Sequence, residues 1–362
     1  MSSLLEHIPK TMKAVVYPRP NEFEIREVDV PIPFKTQALV KIMSSTICGT
    51  DLKILAGEFP GVKFPHIPGH EWSGEVVQVA EDVDELKPGD KVGEEPHVGC
   101  GRCRRCLEGL YNLCENYGNI KKGHAHIGFT VNGGLAQYCC VSIKALHKLP
   151  DNVSYDEGAF TETVGVALYA IERANLRPGE SVLVIGPGAI GLAATQIARA
   201  NGASKVVLAG TRDERLKLGL ELGADVLFNV NKSNDPITDL KSIFDGAGPD
   251  VVIEVAGTES AAELAIRSAR RGGRVVLAGS TSPGRRLSVD LSVIVRGHLD
   301  VLGSVANPKW VCQKAVELIA KGHVKVKPLI THHFKLDEFG TALKTFKERE
   351  GGAYRVMIHP NS

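Results

Sequence analysis

The chain has 362 residues, 43% of them hydrophobic, and its 43 lysines and arginines balance 42 aspartates and glutamates for a formal net charge of +1. That length suggests about two domains with cores of their own, and the balance supplies no basic field for nucleic acid or an anionic membrane. With no run of about 18 apolar residues to span a bilayer and no apolar signal core in residues 1–13, a soluble cytoplasmic protein is expected.

Residues 1–158 read as a β-rich domain of short strands and turns rather than helices. Strand character is concentrated at 13–17 (KAVVY), 38–43 (ALVKIM) and 75–79 (EVVQV), and Pro31, Pro33, Pro68, Gly69 and Gly74 mark the turns. From 159 to 305 strand and helix alternate: SVLVIG, the helix of 192–200, KVVLAG (205–210), ERLKLGLELG, DVVIEVAG (250–257), ESAAELAIRSA, RVVLAG (274–279) and DVLGSV (300–305). This alternation predicts an α/β domain with a doubly wound parallel sheet. Residues 306–362 carry two amphipathic helical stretches and a closing strand at 354–358 (YRVMI), expected to return to the first domain.

Within SVLVIGPGAIG the β-branched run meets Gly186, Pro187, Gly188, Ala189, Ile190 and Gly191. Alone, G-x-G-x-x-G is equally an ordinary glycine-rich turn. Between a strand and a run of helix formers it predicts dinucleotide binding: Gly186 permits the turn, Gly188 admits a pyrophosphate, and Gly191 lets helix pack on strand. Val255 and Ala256, at the end of DVVIEVAG, join the expected cofactor-binding residues.

Four of the eight cysteines, Cys100, Cys103, Cys106 and Cys114, fall within fifteen residues. Four thiolates at such spacing predict a closed, structural zinc site that pins a loop, with iron–sulfur ligation or redox pairs as competing readings. Cys139 and Cys140 are adjacent on a strand and point to opposite faces; together with Cys312 they are assigned no ligand role. A second set is dispersed over CGTD (48–51), PGHEWSG (68–74) and Glu162. Taken singly, Cys48 reads as a small core residue, His70 as a turn histidine and Glu71 as a solvated carboxylate; a catalytic zinc would need such mixed ligands and one exchangeable position.

The combination of CGTD at 48–51, GHEWSG at 69–74, GDKV at 89–92, the four-cysteine loop and a dinucleotide fold from about residue 160 resembles the zinc-dependent medium-chain dehydrogenase/reductases, most closely their sorbitol (polyol) and threonine dehydrogenase branch. The resemblance covers essentially the whole chain. It implies a GroES-like catalytic domain beside a Rossmann domain, and two zinc ions per chain, one catalytic and one structural. It implies catalytic-zinc ligation by Cys48 and His70, with Glu71 ligating in some states and standing beside the metal in others. Glu162 takes the place of the fourth ligand, in a Glu-Pro of which the proline is Thr163 here. Thr50 matches the hydroxyl that receives the substrate proton. Lys53 stands where many relatives carry a relay histidine; a solvated lysine is the plainer reading. With these ligand positions filled, His66, His124, His126, His332 and His333 are set aside as metal ligands.

By the same resemblance Gly210 occupies the place of the carboxylate that selects NAD. Its absence, with Thr211 beside it and with Arg212 and Arg215 able to pair a 2′-phosphate, favours NADP over NAD; the alternative is that these arginines merely open a helix that faces water. The expected activity is zinc-dependent hydride transfer between a polyol, sugar or secondary alcohol and NAD(P), in a cleft between the domains. The alternatives are an L-threonine 3-dehydrogenase, a zinc-free quinone or enone reductase disfavoured by both metal sets, and, remotely, an inactive nucleotide-binding protein. Pairing through the edge strand at 300–305 into a homodimer or homotetramer is the family's analogy.

Overall fold

Burial alternates at the start of the strand Thr11–Val16, whereas Gln37–Thr46 is buried over most of its length. The computed structural model describes residues 8–279 and 284–362. The chain divides into two units: the described residues up to Glu162 with Asn307–Ala320 and Val326–Ser362, and the described residues of Thr163–Ala306 with Lys321–Lys325.

The first unit is built on a seven-stranded sheet. Its order runs Ile330–Lys335, Arg355–His359, Gln37–Thr46, Trp72–Val79, Lys91–Glu94, Leu146–Lys148, and Tyr138–Ser142 also pairs with Gln37–Thr46. Trp72, Ile42, Val40 and Val92 pack in one core, and Tyr17, Ile47, Ile54, Leu135 and Phe339 in another. The C-terminal strand Arg355–His359 lies antiparallel to Gln37–Thr46, with Met357 opposite Thr46. The C-terminal strand thus meets the end of the strand Gln37–Thr46.

One expectation is corrected here. The N-terminal region is not free of helix: Gly49–Leu55 is α-helical. This stretch of seven residues, with a glycine and a β-branched threonine at its start, has little intrinsic propensity. The helix stands instead on its cap, where extended Cys48 donates its N–H to Asp51 Oδ2 at 2.8 Å, and on burial of Ile54.

The second unit is α/β. Six parallel strands run in the order Val226–Asn229, Lys205–Gly210, Ser181–Ile185, Val251–Glu254, Arg274–Leu277, Asp300–Gly303. This is the doubly wound arrangement, with the order reversing beside Ser181–Ile185, and its central strands are buried aliphatic runs covered by helices on both faces. Ala189–Ala200 follows the glycine-rich turn as a helix. Several elements went unread in sequence, among them the thirteen-residue helix Thr161–Arg173. The strand Val226–Asn229 is short and only half-buried, and Ile330–Lys335 alternates half-buried with exposed residues and holds two histidines. The helix Pro236–Ile243 begins on an Asp235 cap with proline in its first turn, a signal that was available. No helix among the described residues is long and apolar enough to cross a membrane.

Candidate metal centre and nucleotide-binding turn

Gly186 adopts φ +115°, and a Cβ on it would meet the Ala256 nitrogen at 2.9 Å. A Cβ on Gly191 would stand 1.9 Å from the Gly186 carbonyl oxygen, whereas one on Gly188 would meet nothing within 4 Å. The first and third glycines are therefore required by close packing, and the second leaves open space at the start of the helix that Ala189 and Ile190 begin, where N–H groups and the dipole suit an anion. Val255 lies alongside, its N–H donating to the Ile185 carbonyl at 2.9 Å. Buried Glu254 was missed in sequence; its Oε1 accepts N–H bonds from Ala256 and Gly257, each at 2.7 Å, and holds that turn.

At the end of the neighbouring strand a Cβ on Gly210 would meet Pro187 Cδ at 2.6 Å, so any side chain there displaces the turn. Thr211 and Arg212 follow, both exposed, and Arg215 sits half-buried in the first turns of Asp213–Glu221.

Cys100, Cys103, Cys106 and Cys114 converge with their sulfurs all within 4.8 Å of one another, and none forms a disulfide. The Cys100–Cys106 and Cys103–Cys114 sulfur pairs are 3.9 Å apart. A tetrahedron of about 2.3 Å Zn–S bonds has edges of about 3.8 Å. The four do not ionise together without a cation: backbone N–H groups pull the Cys100 thiol down to about 6 and lower Cys103, while burial pushes Cys106 up to about 12 and raises Cys114. The donor set fits zinc.

Cys48 Sγ, a His70 ring nitrogen and a Glu71 carboxylate oxygen also lie within 4.8 Å of one another. Cys48 caps the helix Gly49–Leu55, and His70 and Glu71 immediately precede the strand Trp72–Val79. His70 Nδ1 is 3.3 Å from Asp51 Oδ1, which leaves the other ring nitrogen to ligate. Glu71 Oε2 accepts from Arg355 Nη1 at 2.5 Å and from the Thr46 hydroxyl, all three side chains being buried. Thr50 Oγ1 is 3.7 Å from Cys48 Sγ, and Lys53 is half-buried on the same helix. Glu162 stands outside the 4.8 Å set, yet burial and the Glu71 charge raise its carboxyl to about 8. Among the described residues, neither carboxylate oxygen of fully buried Glu94 has a hydrogen-bond partner, and burial raises that group as well. Crowded carboxyls around a thiol and an imidazole are what a dication would neutralise, so this set too fits zinc.

Asp51, Arg355, Thr46 and Glu94 are the members the sequence reading missed. Asp51 was in plain view within CGTD, as a carboxylate three residues beyond a ligand; Arg355 carried no local signal at all. A column of rings also reaches the centre: His97 stacks on His126 at 3.9 Å, His126 on Phe129 at 3.6 Å, and Phe129 contacts His70 at 4.8 Å. Cys139 and Cys140 do face opposite ways, into separate clusters. Cys312 is fully buried beside Glu95 and His147, and burial raises its thiol strongly.

Residues 35–151 match the alcohol dehydrogenase GroES-like domain family, and residues 189–321 the zinc-binding dehydrogenase family. A sorbitol dehydrogenase of Bacillus subtilis is 32% identical over 98% of this chain and 99% of its own length. The chain is a zinc-type medium-chain alcohol dehydrogenase. As such it is an oxidoreductase that moves hydride between an alcohol and a nicotinamide cofactor with the help of zinc. An L-threonine 3-dehydrogenase of Thermococcus kodakarensis is 33% identical to this dehydrogenase over 93% of this chain and 95% of its own. A solved zinc-binding dehydrogenase of Sinorhizobium meliloti, bound to NADP, superposes with a TM-score of 0.90 at 31% identity, covering 97% of this dehydrogenase and 100% of that chain. The GroES-like and Rossmann folds expected from the sequence are thus both present.

Proposed function

We propose that this dehydrogenase oxidises polyols or related secondary alcohols with NADP⁺ in preference to NAD⁺, at a centre formed by Cys48, His70 and Glu71. The observation that carries this reading is the convergence of three unlike ligand atoms beside the Thr50 hydroxyl. Zinc there supplies Lewis acidity that lowers the pKa of a substrate hydroxyl, and the nicotinamide supplies the hydride acceptor. Thr50 receives the hydroxyl proton, and Lys53, one helical turn further on, or water carries it to solvent. Arg355 and Thr46 both donate to Glu71 Oε2 and so fix the orientation in which this carboxylate would meet a zinc ion. Glu162 is the reserve fourth ligand. Cys100, Cys103, Cys106 and Cys114 hold a second, structural zinc.

Residues 159–305 form the nucleotide-binding domain in this reading, between the catalytic segments 1–158 and 306–362. The glycines 186, 188 and 191 receive the pyrophosphate, with Pro187, Val255 and Ala256 alongside, and Arg212 and Arg215 the 2′-phosphate. Copies of the chain pair through the edge strand Asp300–Gly303, near which Leu291 and Val295 are 73% and 75% exposed. The relatives named for sorbitol support the substrate class, and those named for threonine mark its rival.

The test is the initial rate of nicotinamide reduction with sorbitol, xylitol, threonine and butane-2,3-diol, each with NAD⁺ and NADP⁺. A polyol or diol rate that is at least about tenfold higher with NADP⁺ is expected, a difference of about 1.4 kcal/mol in transition-state binding. Turnover of threonine with NAD⁺ alone overturns both the substrate class and the roles given to Arg212 and Arg215.

A further inference from the structure

We propose that His333, His359 and Asp156 form a third metal site, on the surface of the first unit, for one divalent transition cation of the Zn²⁺, Co²⁺ or Ni²⁺ class. One nitrogen from each histidine and one Asp156 oxygen lie within 4.8 Å of one another. The sequence reading set His333 aside because the zinc positions were already filled; the fold gives it partners from two distant segments.

The strands Ile330–Lys335 and Arg355–His359 run parallel, with Phe334 opposite Ile358 and Lys335 opposite His359. This register stacks the rings of His333 and His359 at 5.2 Å with planes 7° apart. His333 Nδ1 is 2.9 Å from His359 Nε2. On its other edge His359 Nδ1 is 3.2 Å from the Met43 carbonyl oxygen, so the Nδ1–H tautomer donates there and turns the Nε2 lone pair toward His333. Two Zn–N bonds of about 2.0–2.1 Å at a tetrahedral angle separate their nitrogens by about 3.3–3.4 Å, so a small outward movement of exposed His333 admits the ion.

The third donor is prepared in the same way. Asp156, on the helix Tyr155–Gly158, accepts from the buried Ser44 hydroxyl and keeps a carboxylate oxygen within the same 4.8 Å set. Backbone and hydroxyl contacts therefore orient both inner members before any ion arrives, while His333 stays open to solvent for entry. Two imidazoles and one carboxylate suit zinc, cobalt or nickel rather than magnesium or calcium, which ask for oxygen alone. None of these residues belongs to the mixed centre or to the four-cysteine loop. A bound ion links the C-terminal strand pair to the helix Tyr155–Gly158.

The experiment uses the zinc-loaded full chain freed of excess metal, then equilibrium dialysis against Co²⁺ or Ni²⁺ with metal counted per chain. The wild type takes up one equivalent more than His333→Ala, and Asp156→Asn raises the dissociation constant of that equivalent at least tenfold. Added Ni²⁺ raises the melting temperature of the wild type and leaves that of His333→Ala where it was. Since His333 is exposed and outside the catalytic centre, the variant folds and turns over at the wild-type rate without added metal. Equal uptake by wild type and His333→Ala overturns the site, as does an extra equivalent that His333→Ala retains.

Discussion

Cys100, Cys103, Cys106 and Cys114 come from fifteen consecutive residues and present four like donors, whereas Cys48, His70 and Glu71 come from two separate turns and present three unlike ones. The four-cysteine cluster is completed by its own loop. The charged side chains near it, such as Arg104 with Glu108, are surface pairs. The mixed centre is completed from elsewhere: Asp51 stands behind His70, and Arg355 holds Glu71 from 284 residues away. A site that only binds can be closed and local. A centre that keeps a position open, as proposed for Cys48, His70 and Glu71, has its ligands steadied from behind by supports that come from wherever the fold brings them.

The contrast can be broken most directly at Cys48. Cys48→Ser is expected to lower kcat/KM by about 10³-fold or more, since a metal's share of transition-state stabilisation is several kcal/mol. NADP⁺ binding, followed by fluorescence titration, stays within about twofold. Turnover that survives would mean the mixed cluster is not the reacting centre.

Remote support is tested at Arg355. Arg355→Met leaves buried Glu71 without its counter-charge and should cost about 3–5 kcal/mol in urea unfolding. Arg104→Ala, which breaks an exposed pair beside the four-cysteine loop, should cost less than about 1 kcal/mol. Similar losses from the two would remove the distinction. Asp51→Asn should weaken zinc binding at the mixed centre by about 10–100-fold and leave the four-cysteine zinc in place, as read by metal content after graded chelation.

The smallest effect is a pH slope. Burial holds His97 down to about 3 against an ordinary value of 6.5, and lowers His126 and His124 as well. Between those values the unfolded chain binds the extra proton and the folded one does not. Stability is therefore full above about pH 6.5 and is lost as the pH falls toward about 3. His97 alone should account for roughly 1 kcal/mol between pH 6.5 and 5.5. His97→Gln should flatten the denaturation midpoint over that range; an unchanged slope would show that His97 titrates normally.

What could be read in the sequence was what lies close together along it. The glycine-rich turn needs three glycines within six residues, and the four-cysteine loop its fifteen, so both were visible with their reasons. Cys48, His70, Glu71 and Thr50 were found only through a family's spacing, and the fold then placed them together. Arg355 was invisible because its meaning depends on strand Arg355–His359 lying beside Gln37–Thr46. His359 and His333 were passed over for a related reason, since a register between two strands decides whether two histidines meet. The helix Gly49–Leu55 was missed because a cap and a buried isoleucine, rather than propensity, maintain it.

Asp51 is where two of these stories join. One of its oxygens accepts the Cys48 N–H that starts the helix, and the other faces the ring of His70. Fraying of this short helix and loosening of the ligands are thus one cooperative opening rather than two. With zinc held at the mixed centre as proposed, amide exchange at residues 48–53 is expected to be slow and to quicken when the ion is withdrawn, as read by hydrogen–deuterium exchange before and after chelation.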